Sequence, residues 1–310
     1  MSKRVLLTGA SGFIGRHCLA PLCAAGYEVH AVSSQQRPEV LPGLKWHRAD
    51  LLDTTQIRQL LNKVKPSHLL HFAWYAVPGK YPSSPENLRW CQCTLELLQS
   101  FADNGGKRAV FAGTCFEYDS HYGFCNEELT PARPSTFYGV CKDGTREVVA
   151  GFSRQFGISS AWGRIFYLYG PHEPEARLVP AVILALLRGQ NARCSHGRQV
   201  RDFLHVEDTA SAFVSLLQSE LEGTVNIASG EPITIRWLVE HIARLLNSRN
   251  TKVEFGAIPA PPNDPPLLVA DVRRLREEAG WQPKISLEEG LEGTIKWWRK
   301  ELASAVVEKG

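Results

Sequence analysis

The stretch Thr8 to Gly15, TGASGFIG, restricts what this chain can fold into more than any other. It follows the apolar run RVLLT, which reads as a buried strand, and leads into GRHCLAPLCAAG, which reads as a helix. Three glycines at this junction allow a tight turn whose backbone comes close to a bound group. The helix N-terminus adds unsatisfied N–H groups and the positive end of its dipole, a combination suited to a pyrophosphate. Gly9, Ser11, Gly12, Phe13, Ile14 and Gly15 are the resulting candidates for holding a dinucleotide. The spacing is G-x-x-G-x-x-G, which differs from the simpler G-x-G-x-x-G. Glycines kept for strand–helix packing alone are the plainer alternative, and the flanking strand and helix weigh against it.

Strands and helices then alternate. YEVHAVS and LKWHRADLLD read as strands, TTQIRQLLNKV as a helix and PSHLLHFAW as a buried strand. NLRWCQCTLELLQSFADNGG has apolar spacing near 3.6 and a glycine stop; KRAVFAGT is a strand, a helix covers 138–156, and ISSAWGRIF is another strand. This order predicts an α/β protein with a Rossmann-type, doubly wound parallel sheet. After about residue 165 the pattern loosens. There, RDFLHVEDTASAFVSLLQS enters a helix, GTVNIAS is a strand, GAIPAPPNDPP is extended, and DVRRLREEAG and LEEGLEGTIKWWRKEL are closing helices. Residues 1–165 with about 200–228 are expected to form the dinucleotide-binding domain. A smaller, mixed α/β C-terminal substrate domain is expected from about 166–199 and 229–310.

Composition removes several classes of function. A net charge of +3 with 22% charged residues is too mild to expect nucleic acid or a membrane surface as partner. No apolar run approaches the roughly 20 residues that span a bilayer. The eight cysteines include no CxxC pair, so reduced thiols in a cytoplasmic protein are expected, with no zinc site.

The end of the second strand bears on the cofactor. An acidic residue there would bind the adenosine ribose of NAD and repel a 2′-phosphate. The strand instead ends AVSSQQR, with Ser33 in the acidic place and Arg37 close behind. A hydroxyl and a guanidinium suit a phosphate, so NADP(H) is preferred and NAD(H) is possible; a merely solvated Arg37 is the other reading. Asp50 is placed to meet the adenine amine, with Leu51 beside the ring.

YGVCK puts Tyr138 and Lys142 four residues apart and therefore on one helix face. Alone, that spacing is weak. Taken with TGASGFIG, ADLLD, HFA at 71–73, FAGTCFEY at 111–118, RIFYLYGP at 164–171 and RDFLHVED at 201–208, it makes the chain resemble the extended short-chain dehydrogenases/reductases of the nucleotide-sugar epimerase, dehydratase and ketoreductase group. The likeness covers essentially the whole chain. It implies that Thr114, Tyr138 and Lys142 are catalytic and that Phe72 and Ala73 touch the cofactor. It also implies a homodimer joined by a four-helix bundle, built from the helix from Asn87 and the helix bearing Tyr138. A free phenol, with a pKa of about 10, is a poor base near neutrality. Lys142 and an oxidised nicotinamide are expected to lower it, while Thr114 fixes the substrate oxygen.

Departures from the family pattern narrow the reaction. Dehydratases of the group follow the catalytic Thr with Asp and Glu; here stand Cys115 and Phe116, which cannot replace two carboxylates. Glu117 is shifted by one and, on a strand, would face the other way. Without the acidic ribose ligand that a tightly held NAD needs, the resemblance implies a reductase: an NADPH-dependent 4-ketoreductase of a nucleoside-diphosphate 4-keto-6-deoxy sugar. A 4-epimerase that recycles its cofactor internally, and a non-catalytic dinucleotide-sensing protein, are the alternatives. Arg201 matches the arginine that grips the nucleotide diphosphate, or else makes a structural salt bridge. The second phosphate arginine before Asp271 is missing, and Arg177 or Arg273 is expected to compensate. Trp74 and Tyr75 either line the sugar site or pack a loop. Cys115, Tyr167, Leu178 and Val179 complete the expected substrate contacts. His71 reads as a satisfied core residue, His205 as support for the Arg201 loop, and Asp202 and Asp208 as groups that orient that loop and cap the next helix.

Overall fold

In chain order the elements are β1 (Arg4–Thr8), α1 (Gly15–Ala24), β2 (Glu28–Ser33), β3 (Leu44–Arg48), α2 (Thr54–Val64), β4 (His68–His71), α3 (Glu86–Asp103), β5 (Arg108–Thr114) and β6 (Phe124–Cys125). They continue with α4 (Phe137–Phe156), β7 (Ser159–Ile165), β8 (Tyr167–Tyr169), α5 (Leu178–Leu187), β9 (Ala192–Cys194), β10 (Val200–His205), α6 (Val206–Gln218) and β11 (Gly223–Ile227). The last are β12 (Pro232–Thr234), α7 (Ile235–Leu245), β13 (Val253–Phe255), β14 (Leu267–Ala270) and α8 (Leu287–Val307). This computed structural model describes residues 3–34, 41–247, 252–261 and 264–307.

Seven strands form one sheet in the order β11-β7-β5-β4-β1-β2-β3, and every neighbouring pair is parallel. Strand residues alternate between its two faces. Val5 and Leu7 pack with Cys18, Leu22 and Phe213 under α1 and α6. Leu6 packs instead with Ile57, Leu61, Leu97 and Phe101 under α2 and α3. Both faces are covered, which is why these strands read as continuous apolar runs. The chain winds outward from β1 to β3, then returns to start β4 on the other side of β1. That reversal opens a crevice at the carboxyl ends of β1 and β4, where open α/β sheets bind ligands.

The segment beyond β7 holds more strand than the sequence suggested. A second sheet runs β12-β10-β14-β6, with β8 also paired to β10, and β9 pairs with β13. The start of RDFLHVED is thus the strand β10 and not helix; only Val206 onward is helical. DVRRLREEAG forms a single wide turn, Arg274–Glu278, rather than a regular helix. A separate core joins α5, α7 and α8 through Val182, Ile183, Leu238, Ile242, Leu291 and Trp298. Among the described residues no helix is long and apolar enough to cross a membrane.

Candidate active site

β1 delivers the glycine turn. Gly9 has φ of +65°, and a Cβ on it would stand 2.8 Å from the Ala73 nitrogen, so the turn lies directly against the segment after β4. A Cβ on Gly15 would stand 2.2 Å from the Gly9 oxygen, and the Gly12 N–H donates to that oxygen at 2.9 Å. No side chain caps the start of α1; the Arg16 and His17 amides turn to the Gly12 (3.4 Å) and Ile14 (3.0 Å) carbonyls. The cradle fits a pyrophosphate. Ser33 is buried at the end of β2 with its hydroxyl 3.3 Å from that of Ser11, so strand and turn meet through two hydroxyls. Arg37 lies outside the described residues.

Neighbouring candidates divide. Asp50 is exposed, and its Oδ1 accepts the Leu52 N–H at 2.9 Å. Leu51 turns into the core with Val32 and Ile57, which leaves only its backbone for the expected contact. Phe72 meets Phe213 edge-on at 4.8 Å, and the Ala73 N–H donates to Thr8 Oγ1 at 3.4 Å. His71 is buried with its ring nitrogens 2.7 Å from Thr8 Oγ1 and 3.0 Å from Thr94 Oγ1. Burial lowers its pKa to about 3, so it is a neutral, satisfied core residue.

β5 and α4 assemble the reacting groups. Thr114 closes β5 and is buried. Thr136 caps α4 by accepting the Gly139 N–H at 3.1 Å. A Cβ on Gly139 would be 2.4 Å from the Phe116 oxygen; only glycine lets α4 lie this close to the turn after β5, and that approach brings Tyr138 to Thr114. Burial pushes the Tyr138 phenol pKa up, with Tyr81 and Glu117 adding to it and a hydrogen bond from the Thr114 side chain pulling down. Lys142 is buried, and its Nζ donates to the Ala112 carbonyl at 2.8 Å. The same nitrogen sits 3.7 Å from the centroid of the Trp74 ring. Burial lowers its pKa to about 7 against the pull of Glu117 and Cys91. The ammonium is thus turned to the Ala112 carbonyl and the Trp74 face.

Glu117 departs from expectation as well. It lies on a short turn, Cys115–Glu117, that folds back beneath β5. Its carboxylate accepts from the Thr114 N–H (2.8 Å), Trp162 Nε1 (3.0 Å) and Arg164 Nε (2.7 Å), so it braces the strand end. Cys115 is buried among Tyr118, Cys125 and Phe166, and burial drives its thiol pKa far up, so neither a thiolate nor an open substrate contact forms there.

On the facing side, Tyr81 meets Tyr138 edge-on at 4.9 Å, and the Arg177 guanidinium lies 5.3 Å from the Tyr81 ring. Tyr75 is half-buried. Leu178 is half-buried, while Val179 turns into the core of α5, so its side chain is not presented to a substrate. Arg201 is 1% exposed; Nη2 donates to Asp264 at 2.5 Å, Nη1 to the Val200 carbonyl at 2.8 Å, and Tyr167 lies 5.3 Å away. The ion-pair reading of Arg201 is thus the arrangement present. Arg273 pairs with Asp271 at 2.5 Å. Asp202 accepts from Ser229 and Gly230, which orients that loop. Asp208 does not cap α6: it accepts the Lys284 and Ile285 N–H groups, and His205 is the cap.

The sequence reading passed over several groups. Asn87 and Tyr81 fix the aromatic cluster, and Asp264 occupies the Arg201 fork. Glu173 is buried, its Oε2 has no hydrogen-bond partner among the described residues, and burial raises its pKa to about 8 while Arg177 pulls down. Its only signal in sequence was an acid inside the proline-bearing loop YGPHEPEARLVP.

Known proteins share this fold. The family model described as "NAD dependent epimerase/dehydratase family" matches residues 5–228. UDP-glucuronic acid decarboxylase 1 of Danio rerio is 29% identical over 313 residues, 97% of this chain and 73% of that protein. The UDP-glucose 4-epimerase of Thermotoga maritima, solved with UDP-glucose, superposes with a TM-score of 0.84 at 26% identity over 96% of this chain and 99% of that one. The UDP-glucose 4-epimerase of Thermus thermophilus, solved with NAD, gives 0.80 at 27% identity, with the same coverage of both chains. With a parallel sheet, a glycine cradle and a Thr–Tyr–Lys cluster at its crevice, this chain belongs to the NAD-dependent epimerase/dehydratase family.

Proposed function

We propose that the chain is an NADP(H)-dependent reductase that acts on C4 of a nucleoside-diphosphate-linked 4-keto-6-deoxy sugar. The observation that carries this reading is the Tyr138 phenol, brought by the close approach of α4 into hydrogen-bonding reach of the Thr114 side chain; near neutrality a phenol with a pKa of about 10 is protonated. A protonated phenol is a donor, and a carbonyl oxygen that is becoming an alcohol needs one. When bound, the nicotinamide supplies the hydride. Gly9, Gly12 and Gly15 would hold its pyrophosphate, and Ser33, whose hydroxyl meets that of Ser11 at the end of β2, suits a 2′-phosphate better than an acidic residue would. Thr114 positions the substrate oxygen, Tyr138 gives it a proton, and Lys142 holds positive charge behind the phenol. Arg201 and Arg177 are the groups suited to the diphosphate. Cys115 and Phe116 offer no proton-transfer group, which speaks against dehydration. The eight free thiols suit a reducing cytoplasm.

A second reading, a 4-epimerase that recycles its cofactor, is favoured by the UDP-glucose 4-epimerases among the similar structures. Incubation with NADPH or NADH and a panel of GDP-, dTDP-, CDP- and UDP-linked 4-keto sugars separates the two. Stoichiometric loss of NADPH absorbance, faster than with NADH, is expected. Interconversion of 4-hydroxyl epimers without net cofactor consumption would replace the reductase with the epimerase. Tyr138→Phe should lose roughly 10²- to 10⁴-fold in kcat and still bind NADPH, as followed by its fluorescence.

A further inference from the structure

We propose that Trp74 is a positioning residue for the lysine of the site, with its indole face carrying the Lys142 ammonium and Asn87 holding the indole in place. The proposal rests on the reading of Lys142 as a working ammonium.

A buried ammonium needs partners, and Lys142 is 4% exposed. Of its three N–H groups one reaches the Ala112 carbonyl. Glu117, the nearby carboxylate, is already bound to Arg164, Trp162 and the Thr114 amide. Two indole faces lie within the roughly 6 Å over which an indole attracts a cation: Trp74, 3.7 Å from Nζ to the ring centroid, and Trp162 at 5.8 Å, with Cys91 adding a weaker pull; the nearer face, Trp74, is the main support. The indole itself has one orientation. Its Nε1–H donates to Asn87 Oδ1 at 2.8 Å, and Asn87 is fully buried with its amide donating to the Tyr81 (2.7 Å) and Ser84 (2.9 Å) carbonyls. All the polar groups of the Asn87 side chain are therefore engaged, and the first turn of α3 locks the ring from behind. The indole also meets the Tyr138 ring edge-on, 6.4 Å between centroids, so one side chain neighbours both the lysine and the phenol. Burial leaves Lys142 with a pKa of about 7, so modest loss of cation stabilisation removes its charge at neutral pH.

The test follows Lys142 by NMR in protein labelled with [ε-13C]lysine, its signal identified by loss in Lys142→Met. Trp74→Leu should lower the titration midpoint by roughly one pH unit, and Trp74→Phe by less, because a benzene face is retained. The upper limb of the kcat–pH profile should move to lower pH by the same amount, since the ammonium is lost as pH rises through its pKa. An unchanged midpoint in Trp74→Leu overturns the proposal. If that variant does not fold, a fluorinated tryptophan placed at position 74 alone weakens that ring face with little change of shape; the midpoint should again fall, and constancy is again fatal. The titration needs no sugar substrate. A moved midpoint with an unmoved kcat profile would instead overturn the working role of Lys142.

Discussion

Glu173 shows how one side chain can set a pH dependence for the whole molecule. In the unfolded chain its carboxyl has the ordinary value of 4.5, whereas burial raises it to about 8 in the fold. The native state therefore holds a proton that the unfolded state releases between these values. Stability from that proton is complete below about pH 4.5 and is lost as pH rises through 8. Glu173→Gln is neutral throughout, so it should gain on the native protein across this window and level off above it, by a few kcal/mol at most. Denaturant melts of both proteins at about pH 5 and about pH 9 measure the difference; equal gains at the two pH values would contradict the burial of this carboxyl. Tyr138 and Lys142 follow the same physics with opposite outcomes. Desolvation favours the neutral form of each, which keeps the phenol protonated and brings the ammonium to the edge of deprotonation.

The long elements were legible because they carry periodicity. α3 and α4 show apolar spacing near 3.6, and β1, β4 and β5 are apolar runs closed by turn residues. α4 also has a face that the monomer leaves uncovered. Val140 and Val148 are each 51% exposed, and a Cβ on Gly144 or Gly151 would meet nothing, whereas Cys141, Thr145 and Val149 are buried against the sheet. On α3, Leu88 is 55% exposed. We propose that these two helices pair with their copies in a homodimer. Val148→Asp should then convert a dimer to a monomer in light scattering after size exclusion and leave the far-ultraviolet circular dichroism unchanged. A wild-type monomer would refute the pairing. The short strands were illegible for the opposite reason. β6, β8, β9, β12 and β13 are two or three residues long, too short for a period-2 pattern, and exist only because distant segments pair with them.

At the scale of the whole molecule, the substrate side depends on β10 and the segment before β14, which are far apart in sequence. Arg201 at the start of β10 is held by Asp264, and Gln199 Nε2 donates to the same carboxylate at 2.9 Å. A diphosphate would have to share or replace that carboxylate in the guanidinium fork. Arg201→Lys keeps the charge opposite Asp264 but loses the fork, so KM for the nucleotide sugar should rise roughly 10-fold with the Kd for NADPH unchanged. An equal weakening of both ligands would show that Arg201 supports the fold alone. The amino-acid sequence by itself determined the glycine cradle after β1 and the helix that puts Tyr138 and Lys142 on one face, because each depends on residues close together in the chain, and it implied the parallel sheet through the alternation of strands and helices. Tertiary structure decided which partners the charged groups take. Glu117 went to Arg164, Arg201 to Asp264 and Lys142 to Ala112 and Trp74, where burial lowers the lysine's pKa. Those pairings span 30 to 68 residues of sequence, and no local pattern encodes them.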